Sequence, residues 1–459
     1  MKNQRQRKSC RVLRRSFVGI SAHVRCRMQV ISHLSAIVVG GLTVCATLNA
    51  AVPSHKCPMV PQVVLQSSAS TISSRNLTPA TITTIRQGDT ATFEVMLRRR
   101  GASSRQLAKP SYSLKSTQGD IAFLDMRHDD DWILDGMATD PARLRNRLAM
   151  DLWAEIAPPL WYIHDEPNAR SSYEGKIVEV GGNLTNGIYC LSERVDRKLL
   201  RLRKYDDIDT IAHGVLFKTS EWKYTTFLSA EGSQPADTAI RWGGWELDYP
   251  QPAALRPQAW QAFKRFYHIT AESDSSLFAD SIAAYVDIPS FIHYTLLVMF
   301  TGAIDNSGKN CYWAFYDITA RNLRAVVVPW DFDLSFGRKY MGITVPANIQ
   351  PMQRNRLHQR LLAFYPHYRD SLAQCYAELR QTTFTTHHLD SMVNNYIQLY
   401  RRTGLDSIEM QSWGNDTRLH LLFDTEPDYI HQWLADRLRW LDKLFLRTEY
   451  SNSHLSSSG

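Results

Sequence analysis

The sequence predicts an α+β protein with two lobes and a cleft between them. Polar and apolar residues alternate over 81–101, 109–116 and 176–195, which is typical of strands with one buried face. Beyond residue 350, apolar residues recur at helical spacing instead. The order is therefore strands, one helix, further strands and a largely helical second half, as in proteins that segregate sheet from helices.

The first strands and the first helix have local signals at their ends. Gly-Asp-Thr at 88–90 predicts the turn of a hairpin within 81–101. Residues 140–157 predict an amphipathic helix, because Asp140 is a capping residue, Pro141 suits a first helical position and Leu or Ile follows every four residues.

Later segments are assigned in the same way. A Gly/Asn turn makes 176–195 a hairpin, and the irregular 241–252 reads as a surface insert. The remaining predicted elements are a buried helix over 287–300, two strands within 309–337 joined by Thr-Ala-Arg-Asn, and a final amphipathic helix over 428–447.

The N-terminal segment has the composition of an export signal. Nine Lys or Arg and no acid occur in residues 1–50, and the apolar run 34–51 ends in small residues. This pattern predicts cleavage near Ala50 or Ala51 and an extracytoplasmic location: periplasmic, cell-surface or secreted. The alternative is an uncleaved membrane anchor, since the apolar run is just long enough to span a bilayer.

The organisation that follows has five parts. They are a leader (1–51), a linker or leading strand (52–80), an N-terminal sheet lobe with one helix (81–204), a mainly helical C-terminal lobe carrying a polar hairpin (205–447) and a disordered tail (448–459).

Charge and cysteine content exclude two function classes. The formal charge of +8 comes from the leader, and the rest of the chain is close to neutral, so a nucleic-acid-binding protein is not expected. The sequence has no Cys-x-x-Cys pair, so a zinc site is not expected either. Cys190 and Cys311 are expected to be buried free thiols.

The motif Asp-Asn-Ser-Gly-Lys-Asn places an acid and an amide at a chemically suggestive spacing. Asp305 and Asn310 are separated by four residues. Kinase catalytic loops use an aspartate and an asparagine at this spacing, the first to align the acceptor hydroxyl and the second to hold a metal ion. The His-Arg pair usual before that aspartate is replaced by Ala-Ile, and an ordinary hairpin loop is the alternative.

A second motif places two acids at the end of an apolar strand. Asp331 and Asp333 follow Val-Val-Val-Pro-Trp. Alternate residues of a strand point the same way, so both carboxylates are expected to face one Mg²⁺ or Mn²⁺ ion.

A third segment, Arg-Arg-Arg-Gly-Ala-Ser-Ser, resembles a phosphate-binding turn. Arg100, the amides around Ser103 and Ser104, and a strand lysine, Lys109 or Lys115, are candidates to bind phosphates. A basic surface hairpin is the alternative.

These ordered motifs together resemble the CotH family of extracytoplasmic atypical protein kinases over residues 81–447. The resemblance rests on "RRRGASSRQLAKPSYSLK", "DWILDGMATDPARLRNRLAMDL", "GIYCLSERVDR", "DNSGKNCYWAFYD" and "VPWDFDLSFG". It implies a two-lobed kinase-like fold, ATP, Mg²⁺ or Mn²⁺, and a protein substrate with a Ser or Thr acceptor.

The resemblance also implies roles for individual residues. Asp305 becomes the catalytic base, and Asn310, Asp331 and Asp333 become metal ligands. Glu193 would lie at the adenine-binding hinge or pair with Arg194. An acidic partner for the phosphate-binding lysine, Asp151 or Glu155, is left open.

Two other functions compete with the kinase. One is a kinase-shaped surface-binding or adhesion protein without catalysis. The other is a phosphohydrolase whose strand ends in Asp-x-Asp, although such enzymes usually place that strand first in a parallel α/β domain. Membrane contact is expected only through the leader, and the oligomeric state stays open.

Overall fold

The computed structural model describes residues 60–206, 208, 210–229 and 234–446. The strands are β1 (Gln62–Gln66), β2 (Thr78–Arg86), β3 (Asp89–Arg100), β4 (Ser111–Ser116), β5 (Asp131–Asp135), β6 (Gly175–Gly182), β7 (Gly187–Glu193), β8 (Val215–Thr219), β9 (Arg241–Trp242), β10 (Trp245–Tyr249), β11 (Cys311–Phe315), β12 (Val326–Pro329), β13 (Arg338–Lys339) and β14 (Ile343–Thr344). The helices are α1 (Arg145–Ile156), α2 (Arg197–Leu200), α3 (Arg256–Tyr267), α4 (Ser275–Tyr285), α5 (Ile288–Thr301), α6 (Arg356–Phe364), α7 (Tyr368–Gln381), α8 (Thr386–Thr403), α9 (Leu405–Trp413) and α10 (Glu426–Phe445). The predicted α+β class is confirmed.

The N-terminal strands close into a barrel with the order β1-β2-β3-β4-β5-β7-β6. Each strand pairs antiparallel with its neighbour except β1 and β6, which pair in parallel and close the barrel. The predicted hairpins over 81–101 and 176–195 are confirmed. The closure was not predicted, because it depends on β1 meeting a strand more than a hundred residues later.

Alternation along these strands produces the barrel interior. In β2, for example, Ala80 and Ile82 are buried while their neighbours are more exposed, as the period of two requires. These side chains join residues such as Val63, Leu97 and Leu134 in one apolar cluster.

A second sheet, with the order β12-β11-β8-β10-β9, lies in the following part of the chain. All its strand pairs are antiparallel. The two predicted strands within 309–337 are confirmed as β11 and β12. The prediction of a surface insert at 241–252 is wrong: β9 and β10 extend this sheet, and Trp245 is fully buried. Trp245 packs inward, where its ring contacts that of Phe263 on α3.

The predicted helix over 140–157 begins later than expected. It starts at Arg145, and the Asp140 carboxylate accepts hydrogen bonds from the backbone N–H groups of Leu144 and Arg145, both at 2.6 Å. Asp140 therefore satisfies the first free amides, as a cap does, from a position further upstream.

The helical second half follows the sequence expectation. The buried helix α5 and the final helix α10 are both present, and the largest apolar cluster joins them to the second sheet. Cys190 and Cys311 are buried free thiols, as predicted. Among the described residues, no helix has both the length and the apolar content needed to cross a bilayer. The predicted leader, the predicted tail and Cys57 lie outside the described residues.

Candidate functional site

The two acid-bearing motifs meet at one edge of the second sheet. Because β11 and β12 pair antiparallel with Cys311 opposite Pro329, the residue before β11 lies beside the residue after β12. The Trp330 amide donates to the Asn310 carbonyl at 3.1 Å, and the Asn310 side-chain amide donates to the Asp331 carbonyl at 3.3 Å. Residues far apart in sequence are thus adjacent in the site.

A buried asparagine ties the two loops together. The Asn306 side-chain amide donates to the carbonyls of Asn310 at 3.1 Å and Trp330 at 2.9 Å. The Tyr294 hydroxyl in turn donates to the Asn306 carbonyl at 2.6 Å, which anchors the loop to α5. These three hydrogen bonds hold the loop against Trp330 and α5, while the Asn306 Oδ1 is buried without a hydrogen-bond partner.

Two adjoining cavities lie between the barrel and the second sheet, and together they form what we call the cleft. The smaller cavity, of about 110 Å³, is lined by all four predicted catalytic and metal-binding residues: Asp305, Asn310, Asp331 and Asp333. The larger, of about 960 Å³, extends from Asp331 towards Arg194 and Asp248. The predicted convergence of the two motifs is therefore present, while the roles of these residues stay predictions.

Asp305 is held by two donors. The Lys309 ammonium lies 2.7 Å from Oδ2, and the Trp222 indole N–H donates to Oδ1 at 3.1 Å. Trp222 is 39% exposed and belongs to the loop before the 3₁₀ turn at Tyr224–Phe227. These two donors orient the carboxylate beside the smaller cavity.

Asp331 and Asp333 face the cavity for a different reason from the one predicted. The strand ends at Pro329, and Asp331 has a φ of 60°, so strand alternation does not place the two side chains. Asp333 instead accepts a hydrogen bond from the Thr139 hydroxyl, and the Phe332 amide donates to the Asn146 side chain. A turn locked by the segment before α1 and by α1 itself orients the two acids.

The acids of the cleft repel one another. Burial raises the pKa of Asp333 well above its ordinary value, and Asp331, Asp135 and Asp305 raise it further. Burial and then Asp135 likewise raise the pKa of Asp331, against the opposing effect of Arg100 and two lysines. Clustered carboxylates with raised pKa values are typical of sites that bind a cation.

Asp135 is a residue of the cleft that sequence analysis missed. It ends β5, lines the smaller cavity, and accepts a hydrogen bond from the Ser111 hydroxyl at 3.0 Å. The signal was present in "WILDG", an apolar strand ending in an acid before glycine, which is the same pattern that marked Asp331.

The smaller cavity is lined by oxygen-bearing side chains that could hold a divalent metal ion. Among the described residues, three acids with mutually close ligand atoms occur only at Asp120, Asp129 and Asp130, where the Lys198 ammonium already pairs with all three. The cleft acids are more widely spaced. Mg²⁺ typically takes one or two protein carboxylates and completes its shell with phosphate oxygens and water, which fits Asp331 with Asn310 and Asp333 nearby.

The predicted phosphate-binding turn lies at the cleft. Ser103 and Ser104 line the smaller cavity, and Arg100 lines both cavities with its guanidinium 5.4 Å from the centre of the Trp330 ring. Gly101 has a φ of 108°, and a Cβ there would lie 2.3 Å from the Ser104 Oγ, so the turn requires glycine.

Two predicted nucleotide-binding residues are not brought to the cleft. Lys109 is fully buried, and its ammonium contacts Glu409 and the Ile188 carbonyl, both at 2.5 Å. Glu193 is also fully buried, and its carboxylate accepts hydrogen bonds from Arg170 at 2.5 Å and the Glu174 amide at 2.8 Å. Each side chain is saturated by protein partners, which explains why neither faces a ligand site.

The structure changes the set of candidate lysines. Lys115 lines the larger cavity, but it is exposed and pairs with Asp130 at 3.4 Å. Lys218, which sequence analysis did not select, lines the same cavity from the second sheet. Burial and the nearby Arg100 lower the pKa of Lys218 to about 8.

The acids proposed as lysine partners have other contacts. Asp151 pairs with Arg147, and Glu155 pairs with His388. Arg194, predicted as a possible partner of Glu193, instead pairs with Asp248 at 2.6 Å.

The fold and the cleft define an α+β protein in which a barrel and a second sheet enclose a group of acids and basic side chains. Comparison with known proteins agrees with the sequence resemblance: the family described as "CotH kinase protein" matches residues 97–441. The chain therefore belongs to the CotH family. It is also similar to the inner spore coat protein H of Bacillus subtilis (strain 168), with 23% identity over 343 residues, covering 74% of this chain and 84% of that relative.

Proposed function

We propose that this protein is a metal-dependent kinase that transfers the γ-phosphate of ATP to Ser or Thr of an extracytoplasmic protein. The observation that carries the proposal is the convergence of Asp305, Asn310, Asp331 and Asp333 on one cavity that also contains Arg100. In this interpretation the barrel acts as the N-terminal kinase lobe and the second sheet with its helices acts as the C-terminal lobe.

Each residue of the cavity has a role in the proposed reaction. Asp305, oriented by Lys309 and Trp222, accepts the proton of the acceptor hydroxyl. The hydroxyl oxygen forms the new bond to the γ-phosphorus, and the bond to the β–γ bridging oxygen breaks, so ADP leaves with that electron pair. Asp331 and Asn310 would hold the divalent ion, with Asp333 as a further ligand.

The protein contributes chiefly orientation and charge neutralisation. The divalent ion, when bound, neutralises charge on the phosphates. The loops that carry Asp305 and Asp331 are joined through Asn306, so the two acids keep a constant separation. Preorganisation of this kind lowers the barrier without reorganisation during the reaction.

The location and partner follow from the leader and the relative. An export signal predicts an extracytoplasmic protein, and the relative's name places that relative in a spore coat. The proposed substrate is therefore a surface or extracytoplasmic protein with accessible Ser or Thr.

One structural observation argues against the phosphohydrolase. That alternative requires a parallel α/β domain, whereas the sheet that carries Asp331 at its edge pairs antiparallel throughout. The alternative of a binding protein without catalysis is tested by the following experiment.

The purified protein is incubated with ATP and Mn²⁺, and phosphosites are mapped by intact mass and peptide mass spectrometry. Autophosphorylation is expected in the wild type and should fall at least about 100-fold in Asp331→Ala, because the metal loses its main ligand. Asp436→Ala is the matched control, since Asp436 lies on α10 outside both cavities. Equal phosphate incorporation in Asp331→Ala and wild type would contradict the kinase, and ATP binding without transfer in the wild type would favour the binding protein.

A further inference from the structure

Lys218 projects into the larger cavity from the middle of the second sheet. It lies on β8, which pairs with β11 on one side and β10 on the other. Its ammonium lies 5.4 Å from the centre of the Tyr312 ring and 5.5 Å from that of Trp330. The strand and the two buried rings therefore hold a half-buried cation at a defined position in the cleft.

Arg100 faces the same tryptophan from the barrel. Its guanidinium lies 5.4 Å from the Trp330 ring centre, and both basic side chains line the larger cavity together with Asp331. Burial and then the positive charge of Arg100 lower the pKa of Lys218. One cation from the barrel and one from the second sheet thus line the cavity that also contains Asp331.

Neither cation has an acidic partner in the part of the chain that the structure describes. No carboxylate there lies within 4.0 Å of the Lys218 ammonium or the Arg100 guanidinium, and neither group donates a side-chain hydrogen bond. Other basic residues of the same cavity differ: Arg194 pairs with Asp248, and Lys115 pairs with Asp130. A half-buried unpaired ammonium is costly, and an anionic ligand would offset that cost.

We propose that Lys218 and Arg100 form an anion clamp that binds the polyphosphate of the nucleotide beside the metal ion at Asp331. This inference rests on the proposed function and identifies its phosphate-binding lysine as one on the second sheet, not Lys109 or Lys115 of the barrel region. The Tyr312 and Trp330 rings restrict the position of the Lys218 ammonium. The planar guanidinium of Arg100 offers two parallel donors to phosphate oxygens.

The clamp predicts opposite effects of Lys218→Met on stability and on binding. Methionine keeps an unbranched apolar side chain against Tyr312 and Trp330 but removes the unpaired charge. The ligand-free melting temperature should therefore stay equal or rise, whereas a lysine that served the fold would lower it when replaced. Binding of phosphates should weaken at the same time.

The experiment measures binding to the full chain by isothermal titration calorimetry with three probes: ATP with Mn²⁺, inorganic tripolyphosphate with Mn²⁺, and adenosine. Lys218→Met should weaken ATP and tripolyphosphate binding roughly 10- to 100-fold, the loss typical of a charged hydrogen bond, and leave adenosine binding unchanged. Lys218→Arg should restore part of the loss. Lys176→Met is the control, because Lys176 is an exposed strand lysine outside both cavities.

Three outcomes would overturn the clamp. They are unchanged ATP and tripolyphosphate affinity in Lys218→Met, a parallel loss of adenosine affinity with a lower melting temperature, and a wild type that binds neither phosphate probe. Failure of the proposed function is distinguishable: a wild type that binds both phosphate probes through Lys218 but never transfers phosphate would retain the clamp and refute the kinase.

Discussion

Two regions of the protein place positive charge in different environments. Lys109 and Arg143 are fully buried and share one carboxylate, Glu409 of α9, at 2.5 and 2.8 Å. Arg100 and Lys218 line the open cleft, where the described residues offer them aromatic rings but no carboxylate within ion-pair distance. The fold supplies a counter-charge to the first pair of cations, and the described residues supply none to the second pair.

A cation that is paired within the fold can be distinguished from one that is available to a ligand. Glu409 also accepts the Ile188 amide at 2.8 Å, so the triad joins α9 to the barrel strand β7. When the fold supplies the partner of a buried charge, removing that partner leaves an uncompensated charge in the interior. A charge without protein partners that borders a cavity is available to a ligand.

The largest expected effect is a loss of stability on removing the carboxylate that Lys109 and Arg143 share. Glu409→Gln leaves Lys109 and Arg143 buried with no counter-charge, and we expect it to lower the free energy of unfolding by about 3–5 kcal/mol. Urea denaturation followed by circular dichroism measures the change. Asp125→Asn, which removes an exposed partner of Arg86, is the control and should leave the midpoint unchanged. A midpoint for Glu409→Gln within error of the wild type would show that Lys109 and Arg143 do not depend on the Glu409 charge.

A smaller loss of stability is expected on removing the neutral Asn306 side chain, which joins the two loops of the cleft. Asn306→Ala removes the side-chain amide that bridges the Asn310 and Trp330 carbonyls, which should cost about 1–3 kcal/mol because both acceptors stay buried. The rise in melting temperature caused by Mn²⁺ with ATP should also shrink. Thermal melts with and without Mn²⁺–ATP test this, with the exposed Asn415→Ala as control. Full retention of the Mn²⁺–ATP effect would show that the loops do not depend on this bridge.

The smallest effect is expected at the cleft mouth. Trp222→Phe keeps an aromatic ring but removes the N–H group that donates to Asp305, a hydrogen bond worth about 0.5–1.5 kcal/mol. We expect kcat for a Ser-containing acceptor peptide to fall a few-fold with KM for ATP unchanged. Steady-state kinetics measure both, and the exposed Tyr224→Phe is the control. A change confined to KM for ATP would place Trp222 on the nucleotide side instead.

The acid motifs could be recognised from sequence because their signals are local. Asp305 and Asn310 lie in one turn, and Asp331 and Asp333 follow one apolar strand. Each spacing by itself left an ordinary loop as an alternative, and the two motifs together favoured a metal site. Their convergence required only that two neighbouring strands pair antiparallel, which a short connection favours. Asp135 also ends an apolar strand, but the sequence around it contains no second motif that would have drawn attention to it.

Local sequence signals could not separate the basic residues that are paired within the fold from those that line the cleft. Lys109 follows a glycine- and serine-rich turn and looked suited to phosphate, yet α9, some three hundred residues later, supplies the carboxylate that occupies it. Lys218 lies in "VLFKT", where nothing distinguishes it from any strand lysine. Whether a cation is paired depends on which distant element packs against it.

The sequence by itself determined most of the strands and helices and the positions of the acid motifs, because periodicity, turn residues and short spacings act over a few positions. Only the tertiary structure decided that the first sheet closes through β1 and β6, that 241–252 joins the second sheet, and which cations remain available in the cleft. These outcomes depend on contacts between residues tens to hundreds of positions apart, and burial and ion pairing are properties of those contacts.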